Sequence, residues 1–280
     1  MSTGETRKKL ESRGFSPNKR FGQNFLTDEN VLDGIVDAAG IEPADTVLEI
    51  GPGTGALTKR LAKRAAKVIA VEIDRGLAGM LEEEFRDDEH VRIICGDILK
   101  TDLGALLKEH APVKVVANLP YYITTPILLE LLPKENLFES FVIMIQKEVA
   151  DRMSAAPGNK DYGALSLVIQ YYGKPRIVME VPPSAFYPAP EVTSSVVRID
   201  RHETPPVDTK DPDRMFAVIR AAFGKRRKTL ANAVSSDPGL EISAAGMRSA
   251  LRSMGLDEAV RGEALSLSDY AGLCDRLFLS

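Results

Sequence analysis

Thr46-Val-Leu-Glu-Ile-Gly-Pro-Gly-Thr-Gly55 reads as a short apolar strand that runs directly into Gly51, Gly53 and Gly55. Glycines so spaced open a tight turn ahead of a helix and let a ligand come close to the backbone. Many nucleotide-binding enzymes share that pattern, so its weight depends on what surrounds it. Downstream, strand-length apolar runs recur at residues 67–71, 91–94, 113–117 and 141–145. Helical periodicity fills the intervals at 56–65, 75–85, 103–109 and 126–132. Alternation of this kind, with continuous apolar strands, predicts a parallel sheet covered on both faces.

The pattern changes after Gln146. Helices are expected from Lys147 and over 164–170, followed by two β-rich segments at 175–181 and 194–199. Their close spacing predicts an antiparallel addition at one sheet edge. The polar, proline-rich Arg201-His-Glu-Thr-Pro-Pro-Val-Asp208 is the best linker in the chain. Beyond Asp211 only helical periodicity remains, with Ser266-Leu-Ser-Asp269 resembling a capping box. Upstream, Asp28 and Gly40 bracket a further apolar-periodic run as helix cap and stop. Gln23-Asn-Phe-Leu26 reads, from spacing alone, as the lead-in to that helix. The expected division is residues 1–204, with a basic segment 1–20, and residues 205–280.

With 44% hydrophobic and 27% charged residues over 280 positions, the chain has the make-up of a soluble globular protein. The first twenty residues lack the apolar stretch of a signal peptide, and no apolar run is long enough to span a bilayer. No membrane association and a cytoplasmic location are expected. Only Cys95 and Cys274 are present, which excludes a disulfide framework and fits a reducing compartment. Both are expected as small buried apolar residues. His90, His110 and His202 lie far apart in polar contexts, so no metal site is expected, and each reads as a surface residue. The net charge of −4 is unevenly spread. Acid gathers in Leu81-Glu-Glu-Glu-Phe-Arg-Asp-Asp-Glu-His90, and base in Arg7-Lys-Lys9, Lys19-Arg20 and Lys225-Arg-Arg-Lys228.

In an open parallel sheet, ligands bind beyond the carboxyl ends of the strands, so each end matters in turn. The first carries the glycine turn. The second carries Glu72, 21 residues after Gly51, where a carboxylate suits the two hydroxyls of a ribose. The third carries Gly96-Asp97, an acceptor for the exocyclic amine of an adenine. The fourth carries Asn118-Leu119-Pro120-Tyr121. Together they point to S-adenosylmethionine and transfer of its methyl group.

An adenine amine is a poor nucleophile because its lone pair is delocalised into the ring. Two acceptors on its hydrogens help it pyramidalise. The Asn118 side-chain oxygen is one candidate, and the Leu119 or Pro120 carbonyl is the other. Tyr121 would stack on the base, with Phe186, in the Pro-stiffened Phe186-Tyr-Pro-Ala-Pro190, as the opposite plate. Base–aromatic stacking contributes ~1–3 kcal/mol. A base inside a polynucleotide must be unpaired or extruded to enter such a slot.

The ordered set Lys19-Arg-Phe-Gly-Gln-Asn-Phe-Leu26, Glu49-Ile-Gly-Pro-Gly53, Glu72, Gly96-Asp97, Asn118-Leu-Pro-Tyr121, Gln146-Lys-Glu-Val149, Val181-Pro-Pro-Ser-Ala-Phe186 and Arg226-Arg-Lys-Thr-Leu230 resembles the small-subunit ribosomal RNA adenine dimethyltransferases over nearly the full chain. The resemblance implies a Rossmann-like methyltransferase domain with a mainly parallel seven-stranded sheet and a small all-helical C-terminal domain that contacts RNA. It implies dimethylation of two adjacent adenosines in the 3′-terminal hairpin of small-subunit (16S) ribosomal RNA, and a role in subunit biogenesis. The implied partner is the small ribosomal subunit precursor; a monomer is expected because nothing in the sequence demands a dimer. By the same match Asn24, Leu26, Gly51, Glu72, Asp97 and Asn118 contact S-adenosylmethionine. Tyr122 receives no role. RNA contact falls to Lys225, Arg226, Arg227 and Lys228, and to the basic N-terminus.

Overall fold

The computed structural model describes residues 3–13, 15, 22–225 and 227–278. Its strands are β1 (Phe25–Leu26), β2 (Thr46–Ile50), β3 (Lys67–Glu72), β4 (Val91–Cys95), β5 (Val113–Asn118), β6 (Phe138–Gln146), β7 (Gly173–Val181), β8 (Phe186–Tyr187) and β9 (Ser194–Arg201). Its helices are α1 (Thr3–Ser12), α2 (Glu29–Ala39), α3 (Thr58–Leu61), α4 (Arg75–Glu84), α5 (Leu103–Leu107), α6 (Thr124–Leu131), α7 (Lys147–Ser154) and α8 (Ala164–Tyr172), then α9 (Pro212–Gly224), α10 (Leu230–Val234), α11 (Ala244–Ser253) and α12 (Leu267–Phe278).

Seven strands form one sheet in the order β4-β3-β2-β5-β6-β9-β7. The pairs β2–β3, β2–β5, β3–β4 and β5–β6 are parallel, while β9 runs antiparallel to β6. The sheet is therefore the mainly parallel, edge-extended one that the alternation predicts. From β2 the chain steps to β3 and β4 on one side and returns to β5 on the other, so the topological switch lies between β2 and β5. Strand β2 is buried along its whole length, as a strand covered on both faces must be.

Helix α2 starts where the Asp28 carboxylate accepts from Asn30 N–H and Val31 N–H, and stops at Gly40 with φ 56°. It buries Leu32, Ile35, Val36 and Ala39 in the same core as Val47, Val116 and Val142 of the sheet. Helix α3 is shorter than the periodicity suggests, because turns replace its ends.

The chain divides into two compact units. One is Met1–Ala150 with Lys174–Arg201, and the other is Asp151–Gly173 with His202–Ser280. A single cut after residue 204 thus omits two earlier crossings, after Ala150 and after Gly173. Asp151–Gly173 packs with the C-terminal helices because Tyr162, Leu167 and Tyr171 share a core with Met215, Ile219, Leu230 and Tyr270. There the Tyr162 hydroxyl donates to Leu265 O at 3.0 Å, and Ser266 and Asp269 form the reciprocal cap that opens α12.

Near the N-terminus, α1 is not a bare basic arm. Leu10 is buried with Phe25, Leu77 and Met80. Of Arg7-Lys-Lys9, Lys8 is exposed, while the side chains of Arg7 and Lys9 lie outside what the structure describes, as do Lys19, Arg20 and Phe21 altogether.

Cys274 is buried as expected, but Cys95 is exposed, because it ends the edge strand β4. His90 is exposed, whereas His202 is half-buried and lies 3.2 Å from Gln170 O. Among the described residues no helix is long and apolar enough to cross a membrane.

Candidate active site

Register decides which side chains meet. Ile50, the last residue of β2, pairs with Val71 on one side and Ala117 on the other. The residues immediately beyond, Gly51, Glu72 and Asn118, therefore leave the sheet side by side. Gly51 and Gly53 have φ of 67° and 59°, left-handed values that a side chain disfavours.

The Glu72 carboxylate fastens this loop. Its Oε2 accepts from Gly53 N–H at 3.0 Å and its Oε1 from Asp74 N–H at 2.9 Å. Each oxygen keeps a further lone pair for a ligand hydroxyl. Burial raises the Glu72 pKa, against the pull of those two N–H groups.

A second segment crosses the same place. Phe25 and Leu26 of β1 pair with Tyr187 and Phe186 of β8, and Thr27 N–H donates to Ala185 O at 2.8 Å. Held this way, Asn24 presents its carbonyl to Asn118, whose Nδ2 donates to it at 3.1 Å. That bond assigns the amide: with Nδ2 engaged, Oδ1 is the atom left to accept a hydrogen bond. Pro120 O already accepts from Ile123 N–H and the Thr124 hydroxyl at the start of α6. Tyr121 is half-buried, and its hydroxyl lies 2.7 Å from Ser194 Oγ at the first residue of β9.

Asn24, Leu26, Gly51, Glu72, Asn118 and Tyr121 line one cavity, together with Leu119 and Pro120. An apolar slot beside it is lined by Ile73, Ile98, Pro120 and Ile123, with Asp97 and Gly51 at its wall. Gly51, Ile73 and Pro120 border both, so the two form a continuous cleft over the tips of β2 to β5. Asp97 Oδ1 accepts from Leu99 N–H at 3.1 Å, which fixes the carboxylate at the slot. The cleft thus unites every position expected to meet the cofactor.

The family model described as "Ribosomal RNA adenine dimethylase" matches residues 14–271 of this chain. The chain belongs to the ribosomal RNA adenine dimethylase family. It is 49% identical over 276 residues to the "Ribosomal RNA small subunit methyltransferase A" of Alkaliphilus metalliredigens, covering 98% of this chain and 96% of the relative. To the same-named protein of Streptococcus thermophilus it is 48% identical, covering 97% and 96%. Among solved structures, a dimethyladenosine transferase from Plasmodium falciparum superposes with a TM-score of 0.74 at 27% identity, over 89% of this chain and 95% of that one. The 23S rRNA methyltransferase ErmE superposes with a TM-score of 0.68 at 25% identity, over 91% and 99%.

In this dimethylase-family chain Phe186 is not the open plate that its loop suggests. It is 3% exposed, lines neither cavity, and packs with Leu26, Leu32, Val181 and Ala185. The β1–β8 ribbon draws it inward, and that pairing leaves no trace in local sequence. Lys225, Arg227 and Lys228 are exposed in the helical unit, and Arg226 lies outside the described residues.

Reading strand ends alone passes over Glu49, a fully buried acid in the cavity wall. Its one signal is a charged residue inside an otherwise apolar strand. Gln23 is passed over too; its Nε2 donates to Asp74 Oδ2 at 3.3 Å beside the same cavity.

Proposed function

We propose that this chain transfers methyl groups from S-adenosylmethionine to the N6 amines of two adjacent adenosines in the 3′-terminal hairpin of small-subunit (16S) ribosomal RNA. The observation that carries the reading is the Asn118 amide, tied through Nδ2 to Asn24 O so that Oδ1 is available beside the cleft. Leu119 O is the second acceptor, since Pro120 O is already committed to α6. Two acceptors on one amine draw its protons out of the ring plane and turn the nitrogen lone pair outward. Neither is a base at neutral pH, so the departing proton passes to water. Acceleration then comes from positioning and fixed dipoles.

The residues suit the donor. Glu72 keeps acceptor capacity for the ribose hydroxyls while its own oxygens anchor the glycine loop, and Asp97 serves the adenine amine beside the apolar slot. Asn24, Leu26 and Gly51 complete the wall. When bound there, S-adenosylmethionine supplies an activated methyl on a sulfonium. Tyr121 holds one face of the target base.

Small-subunit RNA is favoured because relatives bearing the small-subunit name match at 46–49% identity, against 25% for the 23S-modifying structure. A monomer acting in the cytoplasm on the small-subunit precursor, during biogenesis of that subunit, completes the reading. Labelled S-adenosylmethionine incubated with immature small subunits and with large-subunit precursors tests it. Label in the 3′ hairpin of small-subunit RNA is the expected result. Label confined to large-subunit RNA overturns the substrate.

A further inference from the structure

The cleft contains one acid that the reaction above leaves unused. Glu49 of β2 is 1% exposed and lines the cavity, and among the described residues its Oε2 has no hydrogen-bond partner. A buried acid left in that condition costs stability, so its presence in a ligand cavity calls for a ligand-side role.

Its surroundings are acidic. Glu72 of β3 lines the same cavity and its charge acts on Glu49, with Asp74 at the cap of α4 bonded through its N–H to Glu72. The cations of α3 are engaged elsewhere: Lys59 with Glu84, and Arg60 with Asp33 and Glu29. From β5 the neighbouring tip offers the neutral Asn118, and Lys114, toward the other end of that strand, is paired with Asp45 and Glu139. Burial is the main reason that the Glu49 pKa rises to about 8. The Thr58 hydroxyl opposes the rise and the charge on Glu72 adds to it. The carboxyl therefore carries its proton at neutral pH.

Resting on the S-adenosylmethionine reading, we propose that Glu49 reads ligand charge: uptake of the sulfonium donor expels a proton from Glu49, and the spent thioether product is bound without that ionisation. The two ligands share an ammonium and a carboxylate, and differ by a methyl and one positive charge. A cation brought beside a buried acid stabilises its ionised form, because attraction is strong where water is excluded. Once the methyl has left, that charge is gone. Glu49 then takes a proton back from solvent, and the product loses the attraction that held the donor.

Calorimetric titration of the full chain with S-adenosylmethionine, at neutral pH in phosphate and in Tris, counts protons released on binding. The expected result is buffer-dependent heat equivalent to release approaching one proton per donor, and no Glu49-dependent release for S-adenosylhomocysteine; equal release with both ligands overturns the proposal. Donor affinity should rise by up to about tenfold per pH unit and level off near pH 8. In Glu49→Gln, release and the pH slope should both vanish. Identical wild-type heats in the two buffers, or undiminished release from Glu49→Gln, overturn the proposal. Failure of the donor to bind at all is a separate result that removes the cofactor reading and this inference with it.

Discussion

An amide side chain has two ends of opposite character, and at Asn118 one end fixes the other. The bond from Nδ2 to Asn24 O spends the donor within the protein. Asn118→Ala should cut methyl transfer by at least about 100-fold, the scale of losing a preorganised polar group at a reacting centre. RNA binding, measured in parallel by filter retention, should stay largely intact; equal loss of both would remove the assigned role. Tyr121 depends on a partner in the same way. Its hydroxyl and Ser194 Oγ, at 2.7 Å, hold the ring at one inclination. Tyr121→Phe and Ser194→Ala should each lower transfer several-fold, and the double variant no further, because both delete the same bond. Additive losses would show that the two residues act separately. Glu49 brings a stability effect as well. Its folded pKa of about 8 lies above the ordinary 4.5, so the folded chain binds the extra proton between those values and stability falls as pH rises through that window. Glu49→Gln should therefore melt higher than wild type at pH 8, and the gap should close toward pH 4.5. A gap that is constant with pH would contradict the raised pKa.

Elements place these residues through register. Apolar runs such as 46–50 and 113–117 are legible because a strand covered on both faces has little room for polar side chains. The tips of β2 to β5 are readable for the same reason, and with them Glu72, Asp97 and Asn118. What is not readable depends on distant partners. Nothing local announces that Phe25 and Leu26 pair with Tyr187 and Phe186. The same pairing buries Phe186, whose proline-flanked loop reads as exposed. Cys95 looks like core until the sheet order puts β4 at the edge. Helix periodicity over 75–85 matches α4 well, whereas that over 56–65 overshoots α3, because turns take up the surplus without breaking the pattern. The β1 segment also constrains the glycine loop. A Cβ built on Gly53 would lie 3.1 Å from Phe25 Cδ1, at a φ of 59°. Gly53→Ala should weaken donor binding at least about tenfold, since ~1–2 kcal/mol of left-handed strain adds to the crowding against the ring. Calorimetry on the folded variant checks this, and unchanged affinity would show that the loop tolerates the shift.

For the whole molecule the problem is charge. A chain of net −4 is proposed to act on a polyanion, so attraction must come from local concentration of base. The acidic run around α4 includes the exposed Glu82 and Glu83, whereas Lys225, Arg227 and Lys228 are exposed between α9 and α10 of the helical unit. Lys225 Nζ also donates to Ser236 Oγ at 2.8 Å, which steadies that side chain at the surface without neutralising it. Cations placed against phosphates release counterions from RNA, and each one adds to the salt dependence of binding. Replacing Lys225, Arg226, Arg227 and Lys228 with glutamine should therefore lower affinity for the small-subunit hairpin and flatten its salt dependence. The slope of log affinity against log salt should fall by roughly 0.7–0.9 for each phosphate that is no longer neutralised. Donor affinity should hold, because the described lining of the cleft comes from residues 22–127 of the sheet unit. The two readouts separate causes: a weaker complex with an unchanged slope would mean altered shape rather than altered charge. It would also move the electrostatic footprint off this segment, onto the other basic runs of the sequence.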